Sequence, residues 1–245
     1  MARYITEFIG TFFLVLTIGL CSIYVGAIMP LLTPLAVGSI LMVMVYMGGH
    51  VSGAHYNPAV TLALFINGDM KSSDLIPYWV AQLGGAIVAA MAVSLSGPVA
   101  SPELIESGLA SPGLSLRYFG PAPADGYSLL TPGVWMAEVL FTFALMLVIF
   151  NVAVSRATKG NSYYGLAIGF TVAAGAFVVG GISGAVFNPA VGTGPNLVMA
   201  TLGGSPEALV NIILYIVAPI AGALLAIPVF RLQESTVTEQ QEASE

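Results

Sequence analysis

The residues of this chain best suited to chemistry are Asn57-Pro58-Ala59 and Asn188-Pro189-Ala190. Asn caps helices through its side-chain oxygen, and Pro suits the first helical position because no backbone N–H is needed there. Each triplet therefore reads as an abrupt helix start. Capping through the oxygen leaves the amide NH2 groups of Asn57 and Asn188 free to donate. Behind each amide stands a helix N-terminus worth about half a positive charge. Two such ends at one point would donate to a neutral oxygen and repel a cation, which is recognition rather than bond making. A single Asn-Pro-Ala is ordinarily no more than a helix start. Here a second copy follows 131 positions after the first (57 to 188), and between Gly49 and Val60 eight of twelve residues equal their partners.

Extended backbone ahead of each Asn is expected to add acceptors, the carbonyls of Gly53, Ala54, His55 and Tyr56 and those of Gly184, Ala185, Val186 and Phe187. Donors at the centre with acceptors on both flanks suit an uncharged hydrogen-bonding solute. Glu7 and Glu138 stand at equivalent places before the two Asn residues, each inside apolar sequence. A proton relay is one use for such acids. Their symmetry favours a structural one, accepting backbone N–H groups of the loop before each helix start. His50 and His55 flank the first loop only and have no Cys or acid nearby, so neither a metal nor a cofactor is expected. Cys21, the one cysteine, excludes an internal disulfide and reads as a packing residue. No Ser-His-Asp or Cys-His set and no phosphate-binding glycine loop marks an enzyme.

The elements that hold these groups are apolar. Hydrophobic residues make up 57% of the 245 and charged residues 7%, against about 25% charged in soluble domains. The fold class is an all-α membrane protein. Spans are expected from about Ile5 to Met29, Leu35 to Gly49, Leu75 to Leu95, Pro132 to Val154, Tyr163 to Gly180 and Ala208 to Phe230, with Pro30 and Pro34 marking the first connection. The helix from Asn57 stops at Asn67-Gly68-Asp69, too soon to cross a hydrocarbon core of about 30 Å. Two half-spanning, re-entrant helices bordering an aqueous cavity follow, because irregular backbone at membrane depth must be buried or face water. Tyr78, Trp79 and Trp135 near span ends read as interface anchors.

The repeat reaches beyond the triplets. At the same offset Glu7 matches Glu138, Thr11 matches Thr142 and Gly38 matches Gly169, and Tyr78 and Gly85 match Tyr215 and Gly222 at an offset of 137 (78 to 215). Three spans per unit is odd, so the second unit enters from the opposite face as an inverted repeat. The expected organisation is residues 1–96 as the first repeat, 97–131 as an external connecting loop containing Glu103, Glu106 and Arg117, 132–231 as the second repeat, and 232–245 as a disordered acidic tail. Arg3, Lys71, Arg156, Lys159 and Arg231 fall on one side of this scheme and Arg117 on the other, which puts both termini in the cytoplasm. The net charge of −6 argues against a nucleic-acid partner.

The paired motifs in inverted three-span units resemble the aquaporin or major intrinsic protein family over about residues 3 to 231. The resemblance implies passive conduction of water and small uncharged solutes, a homotetramer with one pore per subunit, and a lipid-embedded site in the plasma membrane. It also implies a selectivity filter at Val37, Ala176, Ala185 and Val191. Most members carry Arg directly after the second triplet, where this chain has Val191, and glycerol-conducting members commonly follow with Asp, where it has Gly192. The implied opening is wide and apolar, suited to glycerol, urea, neutral metalloid hydroxides or their methylated forms as well as water. A coupled secondary transporter using Glu7 and Glu138, and a non-conducting scaffold, remain the alternatives.

Overall fold

The computed structural model describes residues 1–25, 31–96, 107 and 119–242. Expectations for Pro30, Glu103, Glu106, Arg117 and the last three residues lie outside that set. Among the described residues eight α-helices follow in order: α1 (Ala2–Leu20, continued by a π-helical turn Cys21–Val25), α2 (Leu32–Ser52), α3 (Pro58–Asn67), α4 (Ser72–Leu95), α5 (Pro132–Ile149), α6 (Tyr164–Ser183), α7 (Pro189–Thr201) and α8 (Ala208–Glu242). A π-turn at Phe150–Val154 and a 3-10 turn at Arg156–Thr158 join α5 to α6. Six of these are long and apolar enough to cross a membrane, and the chain is an integral membrane protein. The two others, α3 and α7, have 10 and 13 residues. They rise about 15 and 20 Å, well short of a bilayer's hydrocarbon thickness.

Side chains such as Val80, Ile213 and Leu225 are exposed around the rim of the bundle. Between helices the contacts depend on absent side chains, as expected where apolar burial alone gives no drive to associate. Gly85 of α4 lies against the backbone of Phe8 and Phe12 in α1, and Gly222 of α8 lies against that of Val139 and Phe143 in α5. These two contacts are images of one another under the internal repeat. Gly38 and Gly169 allow α2 and α6 to cross in the same way.

The end carrying both termini is called the inner end below. There Arg3 pairs with Asp74, and Tyr4 donates to the same carboxylate at 2.7 Å. Arg231 donates to Asn67 Oδ1 at 2.9 Å and to the Ile66 carbonyl at 3.1 Å, closing the C-terminus of α3.

Three expectations are corrected. The tail from 232 is not disordered as far as it is described, because α8 continues to Glu242. Its extension is docked: Ser155 Oγ and the Arg156 N–H donate to Glu234 at 2.6 and 3.0 Å, and Asn151 Nδ2 donates to Gln233 at 2.9 Å. Pro34 lies in the first turn of α2 rather than in the connection, where a missing N–H costs nothing. Tyr78 is buried, with its hydroxyl donating to the Ser52 carbonyl at 2.7 Å, so it braces the end of α2 instead of anchoring an interface. Tyr215 does the same for Ser183 at 2.6 Å.

Candidate functional site

Each half-helix begins at its asparagine. Asn57 and Asn188 have extended backbone, and their Oδ1 atoms accept from the Ala59 and Ala190 N–H groups, both at 2.9 Å. The amide nitrogens are not wholly free, contrary to the expectation above. Asn57 Nδ2 donates to the Phe187 carbonyl at 2.9 Å, and Asn188 Nδ2 donates to the Tyr56 carbonyl at 2.8 Å. Each half thus grips the loop of the other, and one N–H per amide remains to face outward.

The loops ahead of the asparagines are not extended either. After a left-handed glycine ends the preceding helix (Gly53 φ 85°, Gly184 φ 86°), Ala54, Tyr56, Ala185 and Phe187 also take positive φ, between 50° and 52°. Non-glycine residues adopt that region at a cost of about 1–2 kcal/mol each, so something must hold them. Ser52 Oγ and the His55 N–H donate to one oxygen of Glu7 at 2.6 and 3.0 Å, and the Tyr56 N–H donates to the other at 2.7 Å. Glu138 accepts from Ser183 Oγ, the Val186 N–H and the Phe187 N–H at 2.7, 2.9 and 2.7 Å. Both carboxylates are fully buried. With the N–H groups drawn toward the acids, the carbonyls of Gly53, Ala54 and His55, and of Gly184, Ala185 and Val186, accept no hydrogen bond among the described residues. Tyr56 and Phe187 differ, since their carbonyls serve the asparagines.

The halves part company at Gln82. Its Nε2 donates to Glu7 at 2.8 Å and to Thr61 Oγ1 at 2.9 Å, and Thr61 also meets His55 Nδ1 at 3.1 Å. The repeat puts Pro219 opposite Gln82 and Gly192 opposite Thr61, so the second half has no counterpart. Sequence reasoning passed over Gln82, although an amide inside a stretch of small residues is itself a signal. Among the described residues no group of His, Cys, Asp or Glu could hold a metal ion.

Two cavities meet around this core. The larger, about 590 Å³, opens at the inner end past His50, Arg156 and Lys159 and reaches both asparagines. The other, about 490 Å³, lies on the outer side and is bordered by Phe119 to Ala122 of the central loop. Val37, Ala176, Ala185 and Val191 all line the outer cavity, and Val37, Ala185 and Val191 line both. Gly53 to Tyr56 and Ala185 to Phe187 border the larger cavity, and Gly184 the outer. Ile18 of α1 also borders both; nothing in its apolar surroundings distinguishes it in the sequence. Asn196, likewise unanticipated, donates to the Pro121 carbonyl at 2.9 Å and so ties the central loop to α7.

The family model of the major intrinsic proteins matches residues 1–230. The glycerol uptake facilitator protein-like 6 of Lactiplantibacillus plantarum is 36% identical over 229 residues, 92% of this chain and 95% of the relative. A probable aquaporin of NIP type from Nicotiana alata is 35% identical over 96% of this chain and 79% of its own length. The X-ray structure of the aquaglyceroporin from Plasmodium falciparum superposes with a TM-score of 0.76 at 21% identity, covering 94% of this chain and 98% of that one, which establishes the shared fold. With two half-helices joined through their asparagines and a family match across nearly the whole sequence, the chain belongs to the major intrinsic protein family.

Proposed function

We propose that this protein is a passive channel for small uncharged solutes, with an apolar outer constriction at Val37, Ala176, Ala185 and Val191 that passes solutes larger than water as well as water itself. The observation that carries the reading is the crossed pair of asparagine amides, Asn57 to Phe187 and Asn188 to Tyr56, bordering the larger cavity, which shares Val37, Ala185 and Val191 with the outer one. At that point the remaining amide N–H groups can donate to a passing oxygen, unpaired loop carbonyls can accept from it, and two helix N-termini oppose cations. No side chain of the outer four can donate, accept or carry charge, so selection there is by size and by the cost of shedding water. Glycerol, urea and neutral metalloid hydroxides or methylated metalloids are the solute class. The first two relatives, named as a glycerol uptake facilitator-like protein and a probable aquaporin, agree with that range.

The channel works as a homotetramer in the plasma membrane with both termini in the cytoplasm. Arg3, Arg156 and Arg231 at the inner end support that orientation. Stopped-flow light scattering on proteoliposomes with water, glycerol, urea and a neutral metalloid hydroxide tests the reading. Uptake above the lipid background, and downhill only, is expected. Counterflow accumulation against a gradient would instead indicate coupling through Glu7 and Glu138, although every carboxylate oxygen of that pair already serves a loop donor. Lipid-level permeability for all four would leave a scaffold.

A further inference from the structure

The offset that relates the two halves also carries the four outer residues to the other side of the asparagines. Val37, Ala176, Ala185 and Val191 map onto Ile168, Val45, Ala54 and Val60. All four of these line the larger, inner cavity. The exchange is uneven in volume: Ile stands for Val and Val for Ala, while Ala54 and Val60 repeat their partners, so the inner set carries three more carbons. Exposure differs at two of the four pairs: Val45 and Ala54 are 3% and 8% exposed where Ala176 and Ala185 are half-buried, whereas Ile168 and Val60, at 6% and 2%, match Val37 and Val191 at 8% and 3%. One polar difference accompanies them, since His55 stands where the outer half has Val186 and borders the same inner cavity with its Nδ1 against Thr61.

We infer that Val45, Ala54, Val60 and Ile168 form a second apolar ring on the inner side of the asparagines, and that this ring is the tighter steric filter for solutes larger than water. The inference rests on the channel reading. A solute then sheds water twice, once at each ring, and is compensated between them by the asparagine amides and loop carbonyls. The side-chain volume at the inner ring sets the size limit, and the outer ring contributes a desolvation step with more room.

The test measures glycerol and urea uptake in proteoliposomes. Val45→Ala combined with Ile168→Val gives the inner ring the outer ring's composition, and it raises glycerol uptake at least about threefold, in keeping with the effect of single methylenes in tight apolar sites. That rise exceeds the one produced by Val37→Ala. A double variant that gains no more than Val37→Ala overturns the inference. A second pair adds volume instead of removing it, at matched positions in α3 and α7. Val60→Ile slows glycerol more than Val191→Ile does, and equal or reversed effects overturn the inference even where the double variant is poorly folded. A parent protein that passes no solute above lipid background refutes the channel reading itself, and that result is visible before any variant is compared.

Discussion

Replacing Glu138 tests the device on which the site depends. Its carboxylate receives the Val186 and Phe187 N–H groups and the Ser183 hydroxyl, all within 2.9 Å and fully buried. Ser183 can turn its hydroxyl elsewhere, but the two backbone N–H groups donate to no other acceptor among the described residues. Leaving each unsatisfied costs about 1–3 kcal/mol, so Glu138→Ala loses about 2–6 kcal/mol. The left-handed residues Ala185 and Phe187 lose their restraint at the same time. Against a typical stability of 5–15 kcal/mol, such a loss melts the loop before α7 and releases the Phe187 carbonyl from Asn57. Glu138→Gln keeps one accepting oxygen and opposes an NH2 to one backbone N–H, costing about half as much. Thermal unfolding in detergent and glycerol uptake in proteoliposomes read the two effects. A cycle with Ser183→Ala should give a coupling of about 0.5–3 kcal/mol. Should Glu138→Ala unfold within about 0.5 kcal/mol of the parent and conduct normally, the carboxylate is not what holds this loop.

Val191→Arg puts a guanidinium at the junction of the two cavities; uptake of glycerol and urea should fall while water permeation persists, and unchanged uptake of the larger solutes would show that the constriction lies elsewhere. Gly222→Ala would push a methyl into the α5 backbone at Val139, costing about 1–3 kcal/mol by overpacking, whereas Gly133→Ala, with open space around it, should be neutral or mildly stabilising; comparing their unfolding temperatures checks this. Glu234→Ala removes both anchors between α8 and the Ser155–Arg156 turn, so amide hydrogen exchange at residues 155–158 and 234–242 should quicken together while the spans keep their protection.

The sequence by itself determined the helices and their rough limits. Apolar runs of bilayer length, and two that stop short after an Asn-Pro start, leave few alternatives once every backbone group must be satisfied without water. It also located Glu7 and Glu138, because a carboxylate inside an apolar stretch stands out whatever its partners. The destinations of hydrogen bonds were decided only by tertiary structure. That Asn57 and Asn188 each give an N–H to the opposite loop, and that Ala54 and Tyr56 turn left-handed, depends on two segments 131 residues apart meeting at one point. Composition suggested a disordered tail, but α8 continues to Glu242, and Ser155 and the Arg156 N–H, brought beside Glu234 by the packing of α5 against α8, dock the start of that extension. Ile18 shows the limit most simply. An isoleucine among apolar neighbours has no mark of its own, and only the arrangement of helices around a shared opening sets it between the two cavities. Local patterns encode which segments are helical and which groups need partners; the identity of the partners is a property of distance in space, which the order of residues along a chain does not contain.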